Sequence, residues 1–131
     1  MRSIPAWFLT TAAIFALFGM AWGIQMSASQ NHTLAPAHGH LNLIGFVTMS
    51  IFAFYYALTP SAAARGLAHI HYLITTLAVL ILTPGIVLAI SGEQEFLAKI
   101  GSVLAVLSMA LFVYTVLRDG VGRNDTKVNL G

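Results

Sequence analysis

Apolar residues fill four long blocks of the chain, about Ile4 to Ser27, His38 to Thr59, Leu67 to Ile90 and Phe96 to Leu117, with polar residues collected between them. Each block offers the roughly 20 apolar residues that a membrane-crossing helix needs. The joints carry residues that interrupt helices: Asn31 and Pro36, Pro60 and Gly66, then Ser91-Gly92. The pattern predicts an all-α, integral membrane four-helix bundle forming a single domain over residues 1–131, with a polar tail over 118–131. No stretch remains for a soluble module.

Composition agrees with that pattern. Of 131 residues, 58% are hydrophobic and 8% charged, and the mean hydropathy is +0.84. A water-soluble domain of this size does not need so much apolar surface. Six bases against four acids are too few to suggest a nucleic-acid partner, and the placement of the bases says more. Arg2, Arg65, Arg118, Arg123 and Lys127 lie at the N-terminus, the second joint and the tail. The first joint, Ala28 to Ala37, has no Lys or Arg, and the third has only Lys99 beside Glu93 and Glu95. The positive-inside rule then predicts a multi-pass protein of a bacterial inner membrane, both termini cytoplasmic and the Ala28–Ala37 joint outside.

The first block is expected to be a retained helix. Arg2 precedes it and Ser27-Ala28-Ser29 is small enough for cleavage, but its apolar run exceeds the roughly 7–15 residues of a signal core. Trp7, Trp22, Tyr55, Tyr56 and Tyr114 stand near block ends, as in the aromatic belts of membrane proteins. Gly19 and Gly23 make a small-xxx-small pattern that lets helices approach closely. Pro84-Gly85 is expected to kink the third helix.

Candidate chemistry gathers at Ala37-His38-Gly39-His40-Leu41-Asn42-Leu43-Ile44-Gly45-Phe46, where two histidines open the second block. A polar group in hydrocarbon needs a partner, and a metal centre suits a neutral imidazole. Residues two apart on an α-helix point about 160° from one another, so His38 and His40 would serve different neighbours rather than chelate one ion. Both would equally serve as plain capping residues in the headgroup region. Asn42 and Gly45 extend the His38 face into a polar stripe with room for a flat or bulky neighbour. His32 in the outer joint is either solvated or a third ligand beside His38 and His40.

His69 and His71 open the third block at the opposite side, roughly 25–30 Å from His40, so the two pairs cannot share an iron. His71 is expected to be structural, as are Asn42 and Gly45. Met20 and Met26 are either gap-fillers or thioether ligands. Disulfides, thiolate metal sites and iron–sulfur clusters are excluded because the chain has no cysteine. The four acids, Glu93, Glu95, Asp119 and Asp125, fall in the third joint or the tail, which argues against a proton pump or coupled transporter. No phosphate-binding glycine loop and no supported nucleophile is present.

The sequence His38-Gly39-His40, followed by Leu43-Ile44-Gly45-Phe46, Phe52, Tyr55-Tyr56 and Pro60, resembles the tenth helix of the catalytic subunit of haem–copper oxidases. The similarity is nearest to the cbb-type oxidases and the related nitric oxide reductases. Leu67-Ala68-His69-Ile70-His71-Tyr72-Leu73 is similar to the start of the eleventh helix, with His71 at a histidine that is not a haem ligand there. By this resemblance His38 would ligate a high-spin haem and His40 a low-spin haem, on opposite faces of one helix. Gly39 and Leu41-Asn42 depart from the family's usual residues. Helices carrying the copper-site histidines, the remaining haem ligand and the proton channel are missing, so one chain is not a complete oxidase.

The resemblance makes the chain equivalent to one four-helix arc of that subunit. It implies a homotrimer that buries glycine-rich faces and holds haem b between protomers, with His38 or His40 from one copy and a histidine from the next. The implied role is electron transfer, or gas or redox sensing, alongside respiratory-chain proteins. The alternatives are a copper- or zinc-binding protein using His32, His38 and His40 on the periplasmic face, and a cofactor-free accessory or assembly subunit of a respiratory oxidase.

Overall fold

The computed structural model describes residues 3–123; Arg2, Asp125 and Lys127, used above for charge and topology, lie outside them. Among the described residues there are helices and no strands. Helix α1 is Ile4–Ser29, α2 is Ala35–Leu58, α3 is the short Pro60–Ala63, α4 is Gly66–Ile90 and α5 is Phe96–Asp119. All but α3 are long and apolar enough to cross a membrane.

Local chemistry sets the boundaries. Pro5 and Pro36 sit in the first turns of α1 and α2, where a missing N–H costs nothing. Because Pro36 starts a helix rather than breaking one, α2 begins at Ala35 and not at His38, and the histidines lie within its opening turns. Pro60 holds the preceding Thr59 out of the helical region (φ −126°, ψ 74°), the steric effect expected before proline. Gln30 ends α1 in the left-handed region at φ 54°. Pro84 lies inside α4 without ending it.

Residues Leu41–Thr48 of α2 form a π-helix, which the hydrophobic pattern does not predict. The Thr48 hydroxyl donates to the Leu43 carbonyl at 2.8 Å, five residues back. Gly45 faces Phe15 so closely that a Cβ there would lie 3.0 Å from the ring. Eight π residues are more than the usual single-turn bulge, and such stretches concentrate at functional sites.

Helix α1 packs along α2, while α4 and α5 form the most extensive interface. Glycine makes both approaches close. A Cβ on Gly85 would stand 2.6 Å from the Ala98 backbone, and one on Gly101 2.6 Å from the Leu82 backbone. Gly19 lies against Asn42 and Gly23 against His38, so the small-xxx-small pattern seats α2 on α1. These glycines are therefore spent within the chain, and any interface between copies must use other faces.

The centre of the bundle is aromatic. Phe8 stacks on Tyr56 with centroids 5.5 Å apart and meets Phe52 edge-on at 5.8 Å, while Phe52 lies 4.6 Å from Phe112. Tyr55 and Tyr56 are buried in this core, not placed in a lipid belt, because α2 turns its Tyr-Tyr face toward α1, α4 and α5. Trp7 and Tyr114 remain exposed and Trp22 is half-buried.

The end of the bundle near Arg65 is tied by polar contacts. Arg65 donates to both carboxylate oxygens of Asp119, at 2.8 Å from Nη2 and 3.0 Å from Nε to Oδ1. The Tyr55 hydroxyl donates to the Gly120 carbonyl at 2.7 Å, and the Gly122 amide to the Thr59 hydroxyl at 3.0 Å. Asp119 is thus not a solvated tail residue. It is the last residue of α5, 3% exposed, and its charge is matched by a guanidinium fork.

Candidate cofactor site at the start of α2

His38 and His40 stand at one end of the bundle and point to different surroundings. His38 is half-buried between α2 and α1. Its Nε2 lies 2.9 Å from the Gly19 carbonyl, and its ring meets Trp22 edge-on, centroids 5.9 Å apart. A Cβ on Gly23 would come within 3.2 Å of the same nitrogen, so glycine is what lets the imidazole lie down on α1. Asn42 donates to the His38 carbonyl at 2.9 Å and its amide nitrogen lies 3.1 Å from Nε2.

The pairing follows a simple register. Gly19 and Gly23 are four apart on α1, His38 and Asn42 four apart on α2, and the antiparallel packing sets Gly19 against Asn42 and Gly23 against His38. Residues so spaced share a helix face, so each small residue receives one polar side chain.

His40 is exposed. Its Nδ1 lies 2.7 Å from the Pro36 carbonyl, one turn back on the same helix. A carbonyl only accepts, so Nδ1 carries the proton and Nε2 keeps its lone pair. This is the arrangement in which histidines ligate metals: one nitrogen donates to a carbonyl and fixes the ring, the other faces the metal. Gly39, between the two histidines, has nothing within 4 Å of where a Cβ would stand.

The remaining sequence candidates are dispersed. His32 is exposed in the joint before α2, and the described residues hold no group of three or more His, Cys, Asp or Glu able to bind a metal ion. His32, His38 and His40 therefore do not converge. Met26 is buried and Met20 faces outward, 67% exposed. Gly45 has a bulky neighbour, and it is Phe15 of the same chain.

His71 is enclosed rather than interfacial. It is 0% exposed and ringed by Phe52 at 4.5 Å, Phe8 at 5.4 Å, Tyr56 at 5.8 Å and Phe112 at 6.2 Å. The Tyr56 hydroxyl is 2.8 Å from Nδ1, and Nε2 has no hydrogen-bond partner. Its neighbour His69 is exposed.

Beside His38, a cleft of about 240 Å³ is lined by Trp22, Gln25, Met26, Asn31, Thr33 and Leu34. That is below the roughly 300–1,000 Å³ of sites that enclose drug-sized ligands. A macrocycle at this end would have to lie on the outer face of α2, where His40 is exposed. The sequence does not single out the Gly19 and Pro36 carbonyls, which decide the states of the two imidazoles, although the matched four-residue spacings are compatible with α1 and α2 meeting there. Comparison with protein-family models, curated proteins and solved structures finds no match to this chain.

Proposed function

We propose that the chain is a haem-b-binding membrane protein related to the catalytic subunit of the haem–copper oxidases. On this reading the histidines of α2 hold the haem near the outer face of a bacterial inner membrane, between copies of the chain arranged as a homotrimer. The role is electron transfer, or gas or redox sensing. The observation that carries it is His40, exposed at the start of a membrane-length helix with Nδ1 held by the Pro36 carbonyl and Nε2 unpartnered.

His40 fits an axial ligand as it stands. The Pro36 carbonyl holds the ring by Nδ1 and leaves Nε2 facing outward, as such partners orient metal-bound histidines. The open face at Gly39 leaves space beside it for a planar group or a neighbouring helix. When bound, a haem would supply a one-electron couple or, with an open iron position, a site for a diatomic gas. His38 does not fit without change, because its Nε2 already faces the Gly19 carbonyl. The second position would fall to another copy or stay open.

A cofactor-free accessory or assembly subunit is the second reading, favoured by the use of the His38 ring and its Nε2 in seating α2 on α1. A visible spectrum of the detergent-solubilised protein, before and after dithionite, separates the two. Sharp bands that appear on reduction, with a mass corresponding to several chains, support the haem reading. A colourless protein, after expression with ample haem, contradicts it.

A further inference from the structure

His38 and His40 are two residues apart, yet their acceptors demand opposite tautomers. The Gly19 carbonyl cannot donate, so the nitrogen 2.9 Å from it, Nε2 of His38, carries the proton. A protonated Nε2 does not accept from Asn42, whose amide nitrogen, 3.1 Å away, donates one of its two protons to the His38 carbonyl at 2.9 Å. The lone pair of His38 is then on Nδ1, beside its own Cβ and backbone, where a flat macrocycle is crowded out. In His40 the proton is on Nδ1, held by Pro36, and the lone pair is on Nε2 at the exposed tip of the ring.

Packing reinforces the difference. The His38 ring is bounded on α1 by the Gly19 carbonyl, the edge of Trp22 and the bare backbone of Gly23. Turning Nε2 outward would forfeit all three contacts. His40 gives up nothing when Nε2 acquires a partner.

Resting on the haem reading above, we infer that His38 is a positioning residue, its Nε2 proton pinning the start of α2 to Gly19, and that His40 alone offers this chain's nitrogen to the iron. The second axial position then does not come from the other helical histidines of the same chain. His38 is spent, His71 is sealed among aromatic rings, and His69 belongs to the start of α4.

Nitrogen-15 NMR of the full chain, histidine-labelled and without haem, tests the positioning role directly. The expected pattern is a protonated Nε2 on His38 and a protonated Nδ1 on His40; one tautomer shared by both overturns the inference. Haemin titration of variants tests the ligand role. The His38→Gln amide can still reach the Gly19 carbonyl but is no iron ligand, so it should bind haemin close to wild type. His38→Ala loses the tie and should bind roughly tenfold more weakly, as outer-shell losses do. His40→Gln should not bind. Loss of binding in His38→Gln equal to that in His40→Gln overturns the inference. A wild-type chain that takes up no haemin removes the haem reading instead, and the tautomers still decide whether His38 pins α2.

Discussion

The two ends of this bundle treat polar side chains differently. Near Arg65, polar groups are consumed by the fold: Asp119 takes both arms of the guanidinium, Tyr55 reaches Gly120, and Thr59 caps the chain at Gly122. A turn further in, Tyr56 holds His71 inside a box of rings. At the other end His38 is consumed in the same way, but His40, two residues on, presents a nitrogen that nothing in the described chain uses. An imidazole walled in by its own chain serves stability, whereas one whose ring is fixed and whose free nitrogen faces outward is ready for a ligand. The contrast lies in what each residue touches, since four of the five histidines lie within helices that could cross a membrane.

Substitutions that strike the aromatic box should show the largest effects. Phe52→Ala removes a ring that touches Phe8, His71 and Phe112, and a cavity of this kind costs about 3–5 kcal/mol. Thermal unfolding in detergent should show a large drop in midpoint. A near-neutral result would mean that the box does not hold the bundle together.

Asp119→Ala comes next. It strips the Arg65 guanidinium of its carboxylate partner; breaking a fully buried pair costs roughly 3–5 kcal/mol. The Arg65 side chain is 32% exposed, so water recovers part of that and about 2 kcal/mol is expected. Tyr56→Phe keeps the ring and deletes one hydrogen bond to His71, for a loss of about 1 kcal/mol. Both are read by the same melting experiment.

Gly39→Ala should have the smallest effect and the opposite sign. Its Cβ would enter open space, and replacing a helical glycine by alanine gains about 0.5–1 kcal/mol. A destabilised isolated chain would show that the face beside His40 is already filled. A more stable chain that no longer assembles with its copies would show that a neighbour needs that space.

Much of the architecture was legible in the sequence because membrane helices announce themselves by length and hydropathy. The ends were legible where a proline sat at a joint, though Pro36 proved to start a helix. Asp119 read as a tail residue since nothing local marks a partner fifty-four positions away at Arg65. Burial of Tyr55, Tyr56 and His71 was equally hidden: in a helix apolar on every side, periodicity does not say which face meets protein and which meets lipid. The π-helix was invisible for a related reason. The buried positions Leu41, Gly45 and Met49 recur every four residues, a spacing an α-helix also accommodates. At the site, His38, Gly39 and His40 stood out at once, and Gly19 and Gly23 signalled close approach. Their meeting was not foreseen, nor the opposite tautomers it imposes, because those depend on backbone carbonyls that carry no sequence signature.

Side-by-side titration of haemin into the wild-type protein and His40→Gln, followed in the visible spectrum with dithionite reduction, tests most directly whether the exposed imidazole is built to hold iron. Saturable uptake with sharp reduced bands in the wild type, absent from a variant that melts at the same temperature, is the predicted result. Equal uptake by both proteins, or by neither, would contradict it.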